Sequence, residues 1–245
     1  MKMTKIGILI VAYNAESTIQ STLSRIPEEF IKDIYSVLIS DDKSKDATYE
    51  KASLYSEKSN LPIQIVAQPI NLGYGGNQKF GYSWAIQNDW DLVVLLHADG
   101  QYAPEFIPKI IKPLLDGQAD AVFGSRMINK SDALRGGMPK YKWIGNQILT
   151  FLQNRLTNQS FSEWHSGYRA YKVSALKEID LGSLNNGFRF DTQIILKLVA
   201  HKKRIVEIPI PTYYGEEISH VNGIEYAREI IWDTIRHRMK YGVSK

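Results

Sequence analysis

The chain has 245 residues, 44% of them hydrophobic and 23% charged, which suits one large α/β domain with a full core and excludes a disordered chain. It contains no cysteine, so disulfides, thiolate catalysis and cysteine-held zinc are excluded, and any metal must be bound by oxygen or imidazole. The net charge of +4 permits attraction to phosphate or anionic lipid but is too small an excess to indicate nucleic acid.

The N-terminal MKMTKIGILIVAYN pairs a basic start with an apolar run, as a signal peptide does. That run stops at Tyr13-Asn14 without a small-residue cleavage site, so it reads as a buried strand over 6–11. A helix is predicted over 17–25, a second strand over 35–40 ending at Asp41-Asp42, a helix over 47–59 and a third strand over 62–67. A glycine-rich turn over 71–76 leads into a helix through Ile86. A fourth strand (92–96), a helix (104–115) and a fifth strand (119–124) follow. Beyond residue 126 the pattern loosens: 141–156 and 224–239 have helical apolar spacing, and 204–210 reads as a strand. No segment approaches the roughly 18–20 apolar residues that span a bilayer, so a cytoplasmic, non-integral protein is expected.

Strands alternating with helices predict a mostly parallel sheet, whose ligands lie beyond the carboxyl ends of the strands. The polar clusters fall there: Ala12–Glu16, Asp41–Asp46, His97–Gln101 and Ser125-Arg126. In LLHADGQ, Asp99 and Gln101 stand two apart on extended chain, so their side chains can point the same way. A carboxylate and an amide carbonyl are hard oxygen ligands suited to Mg²⁺ or Mn²⁺. The spacing equally allows a polar turn in which Asp99 caps the helix at Pro104 and His97 is satisfied in the core. At Asp41-Asp42 a strand-end carboxylate could accept from a nucleobase imide or a ribose, whereas Asp46 reads as a helix cap. The loop NLGYGGNQK (71–79) could expose amides to phosphate, but it matches neither the dinucleotide fingerprint nor the phosphate-binding loop. The segments SGYRAY (166–171) and GFRFD (187–191) set glycine beside aromatics and a charge. For the first, loop packing on the sheet is the simpler reading; for the second, Asp191 could cap a helix over 192–200.

Taken in order, VAYNAEST, SDDKSKDAT, NLGYGGNQKFGYSWA, LLHADGQYAPE, VFGSRM, EWHSGYRAY, GFRFDTQIILK and VEIPIPTYYGEEISH resemble the family 2 glycosyltransferases of the GT-A fold. The likeness is to the branch of dolichol-phosphate mannose synthase and bacterial polyprenyl-phosphate glycosyltransferases. It implies a Rossmann-like, mostly parallel sheet flanked by helices, with a C-terminal acceptor-side extension. A GT-A domain over 1–215 is expected, its nucleotide-binding half about 1–125 and its acceptor half about 126–215, followed by a loop and amphipathic helix over 216–245.

The resemblance also implies an inverting transfer from a nucleoside-diphosphate sugar, assisted by Mg²⁺ or Mn²⁺. Ala12, Tyr13, Glu16, Asp42, Gly73, His97, Ala98 and Asp99 fall where the family holds the donor. Ala15 and Tyr74 replace a usual acid and a common lysine. Asp99 and Gln101 inherit the metal role, with His220 as a further metal or diphosphate contact, while His97 stands where the family has an acid. Arg126, Ser166 and Arg169 are expected beside an acceptor phosphate, and Glu163 takes the place of a family aspartate. Asp191 and Arg126 are the catalytic candidates, Asp191 as the base if the acceptor is a hydroxyl.

The expected acceptor is a polyprenyl phosphate, with a glycan hydroxyl of a cell-surface polysaccharide as the alternative. A sugar nucleotidyltransferase or a non-catalytic nucleotide-sugar binder are more distant rivals. The helix over 141–156 could lie on the inner face of the membrane, with Trp143, Ile144, Ile148, Phe151 and Leu152 in lipid and Lys140, Lys142 and Arg155 at headgroups. It could equally cover the sheet or join subunits of a homo-oligomer.

Overall fold

The computed structural model describes residues 3–214 and 223–242. The run Ile6–Ala12 forms β1 and is almost wholly buried, as a strand covered on both faces must be. It pairs in parallel with β2 (Ile34–Asp41) on one side and with β4 (Leu92–His97) on the other. β3 (Ile63–Ala67) extends the sheet beyond β2. On the far side lie β6 (Arg169–Lys172), β5 (Ala121–Ser125) and β7 (Ile205–Pro209), giving the order β3-β2-β1-β4-β6-β5-β7. β6 is antiparallel to both its neighbours. It is the strand absent from the sequence reading, which took 166–171 for a loop; four residues without clean alternation carry too short a signal.

Alternation along the strands divides the core between the two faces. Ile8, Ile10, Val94 and Leu96 point to one face. There they meet α1 (Ile19–Ser24), α2 (Thr48–Ser56) and α4 (Ile107–Leu115) through Ile19, Leu23, Ala52, Ile107, Ile110 and Ile111. Leu9, Val93 and Leu95 point to the other. That face is covered by α3 (Tyr74–Gln87), the short α7 (Val173–Lys177) and α8 (Phe190–Ala200).

Three local expectations change. The third helix begins at Tyr74, so Gly75 and Gly76 lie in its first turn and not in a preceding loop. The segment from Pro104 starts as a 3₁₀ turn, Pro104–Phe106, before α4. Asp191 sits in the first turn of α8, whose N-cap is Arg189.

The remaining layer comprises α5 (Lys130–Arg135), α6 (Lys140–Thr157) and α9 (Gly223–Tyr241), with α9 packed on α6 and α8. Trp143, expected on the outward face of α6, instead packs against Met127, Ala133 and Met138 and donates through Nε1 to the Lys130 carbonyl at 3.0 Å.

Candidate active site

The strand-end clusters converge along one edge of the sheet. On the donor side, Asp42 follows β2 and is buried. Its Oδ1 accepts from Leu72 N at 2.6 Å and its Oδ2 from Gly73 N at 3.0 Å. Asn71 Nδ2 donates to its carbonyl at 2.9 Å. Gly73 has φ +79°, and a Cβ there would meet the Asn186 carbonyl oxygen at 2.8 Å, so the turn requires glycine. Asp42 thus ties the glycine turn to the sheet. Burial raises its carboxyl above the usual value against the opposing pull of those two amides.

Ala12 is buried and accepts from Asp42 N at 2.8 Å, while Tyr13 is exposed beside it. Glu16 Oε2 accepts from Ala47 N at 3.1 Å, and Asp46 accepts from Glu16 N and Thr48 N, each at 3.1 Å. Asp46 therefore engages the first residue of α2, but the N-cap position is Ala47 and carries no side-chain cap, and Glu16 fastens the same loop.

After β4, Asp99 is half-buried and its Oδ1 accepts from Gln101 N at 3.0 Å. Gly100 between them has φ +75°. No donor among the described residues engages the other Asp99 oxygen. The 3₁₀ turn at Pro104 has Ala103 as its N-cap and no side-chain cap, so Asp99 does not serve that helix. Ala98 is buried beneath, its carbonyl accepting from Thr22 Oγ1 at 3.3 Å.

His97 turns elsewhere. Its ring stands edge-on to Tyr74 and Tyr102, with centroids 5.5 and 5.2 Å away, and its Nε2 lies 3.4 Å from Tyr74 Oη. A Cβ on Gly167 would come within 2.7 Å of the imidazole and 3.0 Å of Tyr74 Oη, so glycine there is what lets the two rings approach.

Tyr74 connects His97 to Asp191. Its hydroxyl donates to Asp191 Oδ2 at 2.7 Å, and Gln78 Nε2, one turn further along α3, donates to Oδ1 at 3.3 Å. Arg169 Nη1 lies 3.5 Å from Oδ1. Burial, with Asp191 alongside, pushes the Tyr74 phenol well above its ordinary value, so it remains a donor. The sequence reading noted Tyr74 only as a replacement and passed over Gln78; nothing short of the α3–α8 contact identifies either as a partner of Asp191.

Further along the sheet, Arg126 follows β5 and is paired with the buried Glu163. The guanidinium donates to Glu163 through Nε at 3.0 Å and also through Nη2, and the Arg126 backbone N–H reaches Oε2 at 2.7 Å. Nη2 also reaches the His165 carbonyl, and Nη1 the Tyr214 hydroxyl, each at 3.1 Å. Burial alone would raise the Glu163 carboxyl, but Arg126 outweighs it and holds the group below its usual value. Arg169 and Ser166 are buried beneath this surface. Arg169 donates to the carbonyls of Ser166 (2.8 Å), Trp164 (3.2 Å) and Asp191 (3.0 Å), bracing the turn that carries Ser166. His220 lies outside the described residues.

His165 adds a pH response. Its Nδ1 lies 3.2 Å from Tyr226 Oη on α9, and its buried Nε2 has no hydrogen-bond partner among the described residues. Burial lowers the imidazole from 6.5 to about 4, with Arg126 and Arg169 helping and Glu163 opposing. Below pH 6.5 the unfolded chain takes up a proton that the folded chain refuses until about pH 4. Stability is therefore expected to fall as pH drops through that window, by up to about 3 kcal/mol. Urea midpoints for the wild type and His165→Gln at about pH 7 and about pH 5 measure it: the variant should lose less on acidification.

A strand-end carboxylate turn, a tethered glycine loop and a buried arginine thus stand at strand ends of one α/β sheet. The model of glycosyl transferase family 2 matches residues 7–180, and the chain belongs to that family; it is a hexosyltransferase of the GT-A fold. Asp191 lies beyond the matched span, and its place rests on the geometry above.

A UDP-N-acetylglucosamine–dolichyl-phosphate N-acetylglucosaminyltransferase of Methanococcus voltae is 29% identical over 86% of this chain and 86% of its own length. An undecaprenyl-phosphate mannosyltransferase of Micrococcus luteus is 24% identical over 94% of this chain and 97% of its own. Among solved structures, the glucosyl-3-phosphoglycerate synthase of Mycobacterium tuberculosis in complex with Mn²⁺, UDP and phosphoglyceric acid superposes with a TM-score of 0.67. It is 15% identical, covering 99% of this chain and 80% of that one; that likeness concerns the fold.

Proposed function

We propose that the protein transfers a hexose from a nucleoside-diphosphate sugar to a polyprenyl phosphate, with inversion at the anomeric carbon and with Mg²⁺ or Mn²⁺ as cofactor. The observation that carries the choice of acceptor is the state of Asp191. Both its oxygens already accept hydrogen bonds, from Tyr74 and from Gln78, with Arg169 adjacent. In this reading those bonds make it an anchor for α3 and not the base. A phosphate acceptor is already ionised near neutral pH and needs no base, whereas a hydroxyl does. Relatives named for lipid-phosphate acceptors, matched over most of their lengths, support the same choice.

In this reading an acceptor phosphate oxygen bonds to the anomeric carbon as the bond to the donor diphosphate breaks on the opposite face, and the electron pair leaves with the nucleoside diphosphate. Asp42 and Gly73 shape the donor pocket. Asp99 and Gln101 suit Mg²⁺ or Mn²⁺: one Asp99 oxygen is turned inward by its own loop and the other is left to a ligand. Among the described residues no three acids or histidines gather into a cage, which fits an ion that keeps waters and donor oxygens. When bound, such an ion offsets the charge developing on the leaving diphosphate. Arg126, its fork fixed by Glu163, is assigned to the acceptor phosphate, for which a planar guanidinium is suited.

The test supplies UDP- and GDP-sugars, Mn²⁺ and either undecaprenyl phosphate or a hydroxyl sugar acceptor. Asp191→Asn should retain activity on the lipid phosphate to within about ten-fold, and the product should be a single anomer of inverted configuration. Transfer to the hydroxyl acceptor alone, with Asp191→Asn lowering it by about 10²-fold or more, would overturn the reading.

A further inference from the structure

A row of aromatic rings runs across the strand ends from the core to solvent. Tyr168 and Tyr102 are buried, His97 and Tyr74 are half-buried, and Phe188 is 40% exposed. Neighbouring centroids along the row lie 5.5, 5.2, 5.5 and 5.0 Å apart, within the range over which rings attract. The outermost ring comes from the loop between Leu184 and α8, and that loop is fastened to helices on both sides. The Asn186 carbonyl accepts from Gly75 N at 2.6 Å and from Gly76 N at 3.1 Å. Lys79 Nζ donates to the Leu184 carbonyl at 2.8 Å, and Gln193 Oε1 accepts from Asn185 N at 2.7 Å. The first amides of α3 are thus taken by protein and not offered to a phosphate. Gly75 permits the approach: a Cβ there would come within 2.4 Å of Phe190 Cβ and 2.6 Å of the Asn185 carbonyl oxygen.

A phenylalanine that only filled space beside Tyr74 would be enclosed. Phe188 instead leans on Tyr74 at an interplanar angle of 33° and keeps part of its surface open at the edge of the sheet where ligands lie. A lone exposed apolar residue is ordinary. This one ends a continuous row of rings on a loop that is fixed in advance. Its position also selects what it meets. Tyr74 directly follows Gly73, which is tied to Asp42, and touches His97, two residues before Asp99. The Phe188 ring therefore stands between the glycine turn of the donor pocket and the carboxylate assigned to the metal, where the sugar beside the diphosphate has to lie.

We propose that Phe188 is the platform for the donor hexose, with the side-chain amide of Asn186, also exposed, hydrogen-bonded to a hexose hydroxyl. A pyranose presents faces of C–H groups and a rim of hydroxyls. A flat apolar ring suits the first, and a carboxamide, both donor and acceptor, suits the second. Because the loop is held before the donor arrives, little ordering opposes the contact. The inference deepens the proposed function and rests on its donor, a nucleoside-diphosphate sugar; it requires neither the lipid acceptor nor any role for Asp191.

Calorimetric titration with Mn²⁺ and without acceptor compares UDP with UDP-glucose and UDP-N-acetylglucosamine, and GDP with GDP-mannose. For the sugar nucleotide that the wild type binds, Phe188→Ala and Phe188→Leu should each weaken affinity about ten-fold, while affinity for the parent diphosphate stays within about two-fold. Phe188→Tyr and Phe188→Trp keep a flat ring and should bind as the wild type does. Asn186→Ala keeps the carbonyl that holds α3 and should weaken the sugar nucleotide alone, by about five-fold. Leucine preserves apolar packing on Tyr74, so wild-type binding by Phe188→Leu would reduce the ring to a structural filler and overturn the proposal. Equal weakening of the diphosphate and its sugar conjugate would also overturn it, assigning the ring to the nucleotide. A wild type that binds none of these nucleotides would sink the donor reading and this inference together. A hexose-selective loss in a chain that transfers nothing to undecaprenyl phosphate would sink only the choice of acceptor and leave the platform standing.

Discussion

Asp99→Ala is expected to lower turnover by about 10²–10³-fold, the scale on which loss of charge stabilisation at a leaving group is felt. The reason is geometric. Asp99 is the carboxylate at the end of β4 that retains an oxygen without a donor among the described residues, the other being turned to Gln101 N. It is half-buried, so alanine creates no core cavity and the thermal midpoint should stay within a few degrees. Release of nucleoside diphosphate measures the turnover, and titration with Mn²⁺ in the presence of UDP gives a readout independent of turnover. If both were normal in Asp99→Ala, the assignment of the metal to this residue would be wrong. His97→Ala should behave differently, loosening Tyr74 while leaving Mn²⁺ titration intact, because the imidazole faces the tyrosines and not the carboxylate.

The second large effect is on stability. Glu163→Ala removes the partner of an arginine that is almost entirely enclosed, with 11% of its side chain exposed. A buried charge left without its counter-ion costs about 3–5 kcal/mol, a large share of a typical domain's stability. Four donors lose their acceptor together: Arg126 Nε, Nη2 and backbone N–H, and Asn146 Nδ2. Equilibrium unfolding in urea gives the value, and a loss below about 1 kcal/mol would mean that water reaches the pair. The sign with pH follows from the depressed carboxyl: its contribution is present above the usual glutamate range and disappears as pH falls through the lower folded-state value.

Much of this was legible in the chain. The first five strands follow from apolar runs that stop at polar clusters, and the candidate positions fall at those stops because a parallel sheet presents its carboxyl ends together. Asp42 and Asp99 were found that way, whereas Gly73 came from the resemblance. What pattern could not supply is partnership across elements. Tyr74 and Gln78 on α3 meet Asp191 on α8, more than a hundred residues away, and no local period encodes such a contact. Arg169 was legible as a charge beside glycine, but not as a buried brace, since burial of that arginine depends on β6 entering the sheet. The polar inner face of α6 was not legible for a different reason: helical spacing of apolar residues gives the existence of a helix but not which face turns inward.

β6 has a mechanical consequence. This strand enters between β4 and β5 and runs opposite to both. It comes from the chain beyond residue 126, yet Arg169 is in register with Leu95, two residues before His97 at the end of β4. The two halves therefore share one continuous hydrogen-bonded sheet and have no hinge between them. Domain closure, by which many transferases grip and release their ligands, is unavailable here without breaking strands. Any gating during turnover would therefore fall to the loops at the strand ends.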